Sequence, residues 1–180
     1  MITIIRSIIV AFSLYSKIPM PIFEWKKEDM KYAIAMLPLV GVVIAAVEFA
    51  ILYVLDIYNA PLFIRTCVWA VIPLLLTGGF HVDGYMDVQD ALKSYKPAEE
   101  KLRILKDPHI GAFSVISFVT FGLIYMAVSA CLIEYIGGKD PQEATSLMVF
   151  MSLGFVFARI LCVIISVSFK HARTEGMLHE

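Results

Sequence analysis

The sequence predicts an all-α fold: a polytopic integral membrane helical bundle of about four transmembrane helices, preceded by an N-terminal interfacial helix. Its composition is the first reason. Of the 180 residues, 59% are hydrophobic and 17% are charged, and the mean hydropathy is +0.79, whereas soluble domains contain about 45–50% apolar and about 25% charged residues. The second reason is that the apolar residues are gathered into four long runs, as membrane-spanning helices require. We expect residues 1–180 to form a single membrane domain.

The charges and cysteines exclude several other classes of protein. The net charge of −1 gives no general attraction for DNA or RNA, so we expect no nucleic-acid partner. Cys67, Cys131 and Cys162 are widely spaced within apolar runs, and they form neither a metal-binding pattern nor a disulfide framework. We interpret them as small buried hydrophobic residues.

The four predicted spans cover residues 33–55, 62–80, 110–133 and 146–169. Each is close to the roughly 20 apolar residues that a helix needs to cross a bilayer. Residues 1–14 are apolar but too short to span, and two sets of side chains alternate there at helical spacing. The polar set is Thr3, Arg6, Ser7, Ser13 and Lys17, and the apolar set is Ile4, Ile5, Ile8, Ile9 and Phe12. This pattern predicts an amphipathic helix that lies in the membrane interface, in contact with lipid.

The basic residues predict the topology. All of the 15 Lys and Arg residues except Arg65, Lys139 and Arg159 lie before the first span, between the second and third, or after the fourth. Alternating spans put these three segments on one side, which the positive-inside rule makes cytoplasmic. We therefore expect a multi-pass protein of the cell (inner) membrane. The cytoplasmic loop 81–109 contains a predicted short helix over 97–106, because a proline opens it and acidic residues precede basic ones.

Three aspartates follow the second span at a spacing that predicts a metal site. Asp83, Asp87 and Asp90 lie at positions i, i+4 and i+7, so a helix here places all three carboxylates on one face. Like charges so placed repel each other, whereas Mg²⁺ binds carboxylate oxygens together with substrate phosphates and water. Three neighbouring glycines allow the backbone to bend close to a ligand. The alternative interpretation is a solvated acidic helix end just outside the membrane.

A second motif lies at the start of the third span and contains Lys106, Asp107, His109 and Gly111. It combines a point charge for phosphate, a carboxylate that caps a helix or completes a metal shell, and the free N–H groups of a helix N-terminus. We predict that these residues bind substrate. A capped helix start, with a lysine that extends to the interface, explains the same pattern without a site.

Two arginines are further candidates for substrate binding. Arg159 lies near the middle of the fourth span, where a charge costs about 2.5–3.5 kcal/mol and rarely faces lipid. Glu48 in the first span is its expected partner, and a purely structural Glu48–Arg159 pair is the alternative. Arg173 follows the fourth span, where a positive-inside flank explains it equally well.

These residues together predict a Mg²⁺-dependent transferase that acts on a phosphate-linked substrate, with its active face on the cytoplasmic side. Phosphoryl or nucleotidyl transfer needs carboxylates for the metal and cations for the phosphate oxygens. It also needs a general base for the attacking hydroxyl, which is either a histidine or one of the aspartates. We assign that role to His81, with Asp83 and Asp87 as the other catalytic residues.

Several stretches resemble the cobalamin synthase family, the adenosylcobinamide-GDP ribazoletransferases. They are GGFHVDGYMDVQDAL and RILKDPHIGAFSV, with FSLYSKIPMP, LPLVGVV and HARTEGM in the same order along the chain. The resemblance implies that α-ribazole, or its 5′-phosphate, attacks adenosylcobinamide-GDP with release of GMP. The product is adenosylcobalamin or its 5′-phosphate, and Mg²⁺ is required.

The resemblance also implies roles for individual residues. It assigns the three aspartates to Mg²⁺ on the diphosphate, Lys106, Asp107 and Gly111 to the second family motif, and Arg173 to the third. Members of the family are usually longer, with further membrane helices after the HARTEGM-like motif. We therefore expect this chain to be a truncated or shorter variant.

Two other functions are alternatives. The spacing D-G-x-x-D-x-x-D is similar to that of the CDP-alcohol phosphotransferases, which make lipids, although Asp87 and Val88 stand where that family has Ala-Arg. A non-catalytic substrate-binding subunit of a vitamin transporter also suits the size and hydropathy, but it has to capture its ligand outside the cell. The sequence leaves the oligomeric state open, including a homo-oligomer.

Overall fold

A computed structural model describes residues 2–169, and within them the chain is helical and contains no strand. The helices are α1 (Ile2–Tyr15), α2 (Lys27–Lys31), α3 (Leu37–Ile57), α4 (Leu62–Thr77), α5 (Phe80–Lys93), α6 (Ala98–Ile104), α7 (Ala112–Gly137) and α8 (Pro141–Ser168), with a 3₁₀ turn at Ile34–Met36. The all-α prediction is confirmed. The short helix predicted over 97–106 is also confirmed, as α6.

The predicted membrane bundle is confirmed, with one difference in the second span. Helices α3, α7 and α8 are each long and apolar enough to cross a membrane. Helices α4 and α5 meet that test only as a pair, and they are bent by 93° relative to each other. The second span was predicted to end at residue 80, but α4 ends at Thr77 because Gly78 leaves the helix with a φ of 63°.

Helices α3 and α8 form the most closely packed pair of the bundle and run antiparallel. Ile44, in the first half of α3, shares an apolar cluster with Val163 near the end of α8. Leu52, in the second half of α3, shares another cluster with Met148 near the start of α8. The outer faces of α7 and α8 carry exposed apolar side chains such as Phe150, which is 71% exposed. In a membrane protein such faces meet lipid.

The short outer hairpin between α3 and α4 is fixed by Arg65. Its guanidinium forms an ion pair with Asp56 and donates a hydrogen bond from Nε to the carbonyl of Ala60, at 2.8 Å. Further along α4, Trp69 packs in one cluster with Ile133 near the end of α7. Arg65 near the start of α4 also lies beside Gly137 at the end of α7, so α4 and α7 are antiparallel.

The amphipathic N-terminal helix is confirmed as α1, but the division of its faces is only partly as predicted. Ser7, from the predicted polar set, is fully buried, whereas Ile4 and Ile5 are 51% and 53% exposed. The helix packs on α3 through Ala11 and its neighbours. Arg6 donates two hydrogen bonds to the buried carboxylate of Asp29, at 2.8 and 2.7 Å, and so ties α1 to α2.

The cysteines depart from the prediction in their burial. All three are free thiols, but Cys131 is exposed on α7, and Cys67 and Cys162 are half-buried. The interpretation as small buried residues is therefore wrong for Cys131. The reason is that Cys131 lies on a face of α7 that does not pack against another helix, where apolar side chains such as Leu132 and Val128 are also exposed.

Gly41 sets the close approach of α3 and α8. A Cβ added there would lie 2.9 Å from the carbonyl oxygen of Phe155 and 3.0 Å from the Cα of Val156. We predict that Gly41→Ala forces the two helices apart and lowers the free energy of unfolding by about 1–3 kcal/mol. The measurement is SDS-induced unfolding of the protein in bicelles.

Gly122→Ala in α7 is the matched control, because a Cβ at Gly122 meets nothing within 4 Å. Alanine in an open helical position leaves the free energy of unfolding unchanged or raises it by up to about 1 kcal/mol. Equal unfolding curves for wild type and Gly41→Ala would contradict the packing described at this crossing.

Candidate active site

The candidate site is built around the break between α4 and α5. Gly78 and Gly79 have φ values of 63° and 77°, a left-handed backbone that glycine adopts without steric cost. The helix restarts at Phe80, and α5 leans on α7, with the ring of Tyr85 5.7 Å from that of Phe121. Phe121 is nine residues into α7, so Tyr85 lies roughly 14 Å from the start of that helix. The first turns of α5 therefore lie beside α7 rather than in an open loop.

Asp83 and Asp87 are two carboxylates without partners on the exposed side of α5. Both are exposed, and they are one helical turn apart. Within residues 2–169 neither carboxylate accepts a hydrogen bond or forms an ion pair. Two unpaired like charges at this spacing disfavour the helix, so the site has capacity for a cation.

Asp90, unlike Asp83 and Asp87, accepts hydrogen bonds from the start of α7, a contact that the sequence did not indicate. Its carboxylate accepts hydrogen bonds from the backbone N–H of Gly111 at 2.6 Å and of Ser114 at 2.9 Å. It therefore caps the N-terminus of α7, where a negative charge is stabilised by the helix dipole. The expectation that these N–H groups are free for a substrate anion is wrong, because Asp90 occupies them.

A second bond reinforces the contact between α5 and α7. The Nζ of Lys93 donates to the Oγ of Ser117 at 2.7 Å, one turn beyond the Asp90 cap. Gly111 leaves no room for a side chain, since an added Cβ would overlap Asp90 Oδ1 and lie 2.6 Å from its Cγ. The end of α5 is thus fixed on α7 by two side chains.

The three aspartates do not form a ready-made cluster. Within the described part of the chain, no group of three or more His, Cys, Asp or Glu side chains is arranged to hold a metal ion. Asp83 and Asp87 remain available, and Mg²⁺ is often held by one or two carboxylates, with substrate phosphates and water as its other ligands. Asp90, expected from the sequence as a third ligand, instead has its two carboxylate oxygens hydrogen-bonded to the N–H groups of Gly111 and Ser114.

His81 lies where α1, α5 and α8 meet. Its ring is 6.4 Å from that of Tyr15, and Tyr15 makes an edge contact with Phe80 at 5.2 Å. The buried Nδ1 of His81 has no hydrogen-bond partner within residues 2–169. A buried ring nitrogen without a partner suits a group that exchanges a proton with a substrate.

The predicted Glu48–Arg159 pair is not formed, and that prediction is wrong. The buried Oε1 of Glu48 and Nε of Arg159 each have no hydrogen-bond partner within the described residues. The antiparallel helices cross at Gly41 and Phe155, with Glu48 seven residues along α3 and Arg159 four residues along α8. The two side chains therefore start roughly 16 Å apart along the bundle axis. Arg159 instead lies over the ring of Phe155, 5.9 Å from its centroid.

The second predicted motif lies on the surface beside α6. A cavity of about 280 Å³ there is lined by Glu100, Arg103, Ile104, Lys106, Asp107 and Pro108. Asp107 Oδ1 accepts the backbone N–H of His109 at 3.0 Å and contacts its Nδ1 at 2.6 Å. The bonds from His109 lower the pKa of the Asp107 carboxyl. Lys106 and Arg103 thus give this cavity a positive side, while Asp107 is held by its own neighbour.

Of the other predicted residues, Arg173 lies outside the residues that the structure describes. Two residues that sequence reasoning did not select also lie at the break. Tyr15 contacts the start of α5, and the backbone N–H of Lys17 donates to the carbonyl of Leu76 at 2.7 Å. They are about 60 positions away in the sequence, and no local pattern indicates this contact.

Comparison with known proteins gives a consistent match. Residues 7–180 match the family described as cobalamin-5-phosphate synthase. The chain is 34% identical over 174 residues to the adenosylcobinamide-GDP ribazoletransferase of Lachnoclostridium phytofermentans, covering 97% of this chain and 62% of that protein. Proteins of the same name from Clostridium perfringens and Desulfitobacterium hafniense are 39% and 30% identical, over 68% and 95% of this chain. No solved structure matches the chain.

The relatives are longer than this chain. It spans 62% of the Lachnoclostridium phytofermentans protein, 49% of the Clostridium perfringens protein and 65% of the Desulfitobacterium hafniense protein. The match to the family extends over nearly the whole of this chain, including the break, the aspartates and the Lys106 motif.

The cap on α7 yields a prediction about how α5 is held. Gly111→Ala pushes the Asp90 carboxylate from its two N–H partners, so we expect the free energy of unfolding to fall by about 1.5–3 kcal/mol. Amide hydrogen exchange of α5 should also become faster. SDS unfolding and exchange mass spectrometry measure the two effects.

Gly84→Ala is the control for the cap. Gly84 lies on α5, the same helix as Asp90, and a Cβ added there meets nothing within 4 Å. It should leave the exchange of α5 unchanged or make it slower, because alanine favours the helix over glycine. Unchanged exchange of α5 in Gly111→Ala would mean that the Asp90 cap does not fix this helix.

Proposed function

Since the chain belongs to the cobalamin-5-phosphate synthase family, we propose that it acts as an adenosylcobinamide-GDP ribazoletransferase. It would join α-ribazole, or its 5′-phosphate, to adenosylcobinamide-GDP and release GMP. The product would be adenosylcobalamin or its 5′-phosphate, the last step in assembling the nucleotide loop. The family match over residues 7–180 carries this proposal. The two unpaired carboxylates at the helix break support it.

The site suits a magnesium ion held by Asp83 and Asp87. Both donors are hard oxygen ligands, and neither is neutralised by a cation within the described residues. When bound, Mg²⁺ would neutralise charge on the diphosphate oxygens. Asp90 would keep the other two carboxylates in place by fixing the end of α5 on α7.

The chain's own side chains account for the remaining chemistry. A ribose hydroxyl of α-ribazole would form a bond to the phosphorus that carries cobinamide. The bond from that phosphorus to the bridging oxygen would break, and GMP would leave with the electron pair. His81, whose Nδ1 lacks a partner, would accept the hydroxyl proton. Arg159, whose buried Nε also lacks a hydrogen-bond partner within the described residues, would stabilise negative charge on the phosphoryl oxygens.

The substrate nucleotide would extend from the break towards the cavity beside α6. Lys106 lines that cavity, and Arg103 adds a second cation that sequence reasoning did not select. We assign Lys106 to a phosphate group of the substrate. Asp107, His109 and Gly111 would shape this side of the site, and Arg173 would contribute from the segment after α8.

We further propose that the active face is cytoplasmic in the cell membrane. The supporting observation is that 12 of the 15 Lys and Arg residues would then lie on the cytoplasmic side, as the positive-inside rule requires. The substrates are also polar, charged molecules that a cytoplasmic site can reach without crossing the bilayer.

The first functional prediction concerns the two free carboxylates. Asp83→Asn and Asp87→Asn should each lower GMP release from adenosylcobinamide-GDP and α-ribazole by about 100-fold or more, because each removes a charge that the metal needs. The assay uses the protein in lipid nanodiscs with Mg²⁺ or with a chelator, and follows GMP and CMP separately.

The control is Glu99→Gln, which removes an exposed carboxylate from the first turn of α6. It should release GMP at the wild-type rate. Wild-type rates in the two aspartate variants would exclude these carboxylates from the reaction. CMP release from a CDP-alcohol, without GMP release, would favour the lipid enzyme instead.

The second functional prediction concerns orientation. In a variant without native cysteines, Asp87→Cys should react with a membrane-impermeant maleimide only from the cytoplasmic side of inverted vesicles. Asn59→Cys, in the hairpin between α3 and α4, should react only from the opposite side. Labelling of position 87 only from the face opposite the cytoplasm, which is the lumen of inverted vesicles, would overturn the orientation and favour a vitamin-transporter subunit.

A further inference from the structure

Lys17 lies just after the end of α1 and packs against the break between α4 and α5. Its backbone N–H donates to the carbonyl of Leu76 at 2.7 Å, in the last turn of α4. That carbonyl belongs to a helix end, where backbone acceptors lack partners within the helix. The main chain at Lys17 therefore helps to close α4, independently of the side chain it carries.

The stem of Lys17 lies directly on Gly78. A Cβ added to Gly78 would overlap the Cε of Lys17, and it would lie 2.9 Å from Cγ and 3.0 Å from Cδ. Gly78 is favoured by its φ of 63°, and the lysine stem occupies the space that a side chain at Gly78 would take. The ammonium is one bond of about 1.5 Å beyond Cε, so it lies beside the turn that separates α4 from α5.

The ammonium of Lys17 has no counter-charge of its own. Lys17 is exposed, and within residues 2–169 its Nζ forms neither an ion pair nor a hydrogen bond. Its stem packs on Gly78 through Cγ, Cδ and Cε, so the side chain already lies at the break before a ligand binds.

The positive-inside rule alone does not account for this placement. A topogenic lysine needs only its charge on the correct side of the membrane, with a stem that is free to move. Lys17 instead packs over a left-handed glycine that directly precedes the stretch containing His81, Asp83 and Asp87. An unpaired ammonium and two unpaired carboxylates flank the same break.

We propose that Lys17 binds a phosphate group of the nucleotide diphosphate substrate at the break. The inference rests on the proposed function for the identity of the substrate. It adds a phosphate-binding residue from α1's end to a site that otherwise comes from α5, α8 and the loop before α7. The ligand class is a diphosphate ester, and GDP is its simplest probe.

The test measures GDP binding directly, without turnover. Wild type, Lys17→Gln, Lys17→Arg and Lys96→Gln are placed in phosphatidylcholine nanodiscs with Mg²⁺, and the Kd for GDP is determined by equilibrium dialysis. Lys96 is the matched control, because it is an exposed lysine after α5 whose side chain has no partner within the described residues. All variants keep the backbone N–H that bonds Leu76.

The proposal predicts that Lys17→Gln raises the Kd for GDP by 10-fold or more, that Lys17→Arg stays within about threefold of wild type, and that Lys96→Gln stays within twofold. Rescue by arginine separates loss of charge from loss of fold. Equal affinities of wild type and Lys17→Gln, or no GDP binding by wild type, would overturn it. If Lys17 contacts only anionic lipid, wild type and Lys17→Gln will bind GDP with equal affinity.

A GMP-release assay on the same samples separates this inference from the proposed function. If GDP binding depends on Lys17 but no GMP is released from adenosylcobinamide-GDP, the diphosphate site stands and the proposed reaction fails. If GMP is released at the wild-type rate by Lys17→Gln with an unchanged KM, the reaction stands and the role of Lys17 fails.

Discussion

The structure depends on one interruption of a membrane helix, the turn at Gly78 and Gly79. A broken span is tolerated only where its freed backbone groups find partners. Here Lys17 donates to Leu76, Gly79 donates to Leu74, and the hydroxyl of Thr77 donates to Pro73. The break therefore persists because the end of α1 closes it, and it releases α5 to lie against α7. The positions of Asp83, Asp87 and Asp90 on α5 follow from that change of direction.

The same constraint explains how charges are tolerated within an apolar bundle. Asp90 receives two N–H groups from the start of α7, whereas Asp83 and Asp87 stay exposed on the other side of α5. Asp90 thus has a structural role, whereas Asp83 and Asp87 have no counter-charge among the described residues and can bind a cation. Irregular backbone at membrane depth usually lines a polar cavity, and such a cavity is where a charged substrate and a cation would meet.

The helical bundle, the approximate spans and helix α6 could be predicted from the sequence, because composition and periodicity are local properties. Sequence reasoning did not predict the cap made by Asp90, because that bond depends on how α5 leans on α7. The expected Glu48–Arg159 pair failed for a related reason: the register of α3 and α8 is set by the close contact at Gly41. Lys17 and Tyr15 were missed because their contacts are distant in sequence.

The most direct test of this account is where a divalent ion binds. Mn²⁺ replaces Mg²⁺ at oxygen ligands and broadens nearby NMR signals, so titration of the protein in nanodiscs with GDP present locates the ion. The account predicts one site at the first turns of α5 that is lost in Asp83→Asn and Asp87→Asn and kept in Asp90→Asn. Loss of the site in Asp90→Asn while α5 remains on α7, or broadening elsewhere than the break, would contradict it.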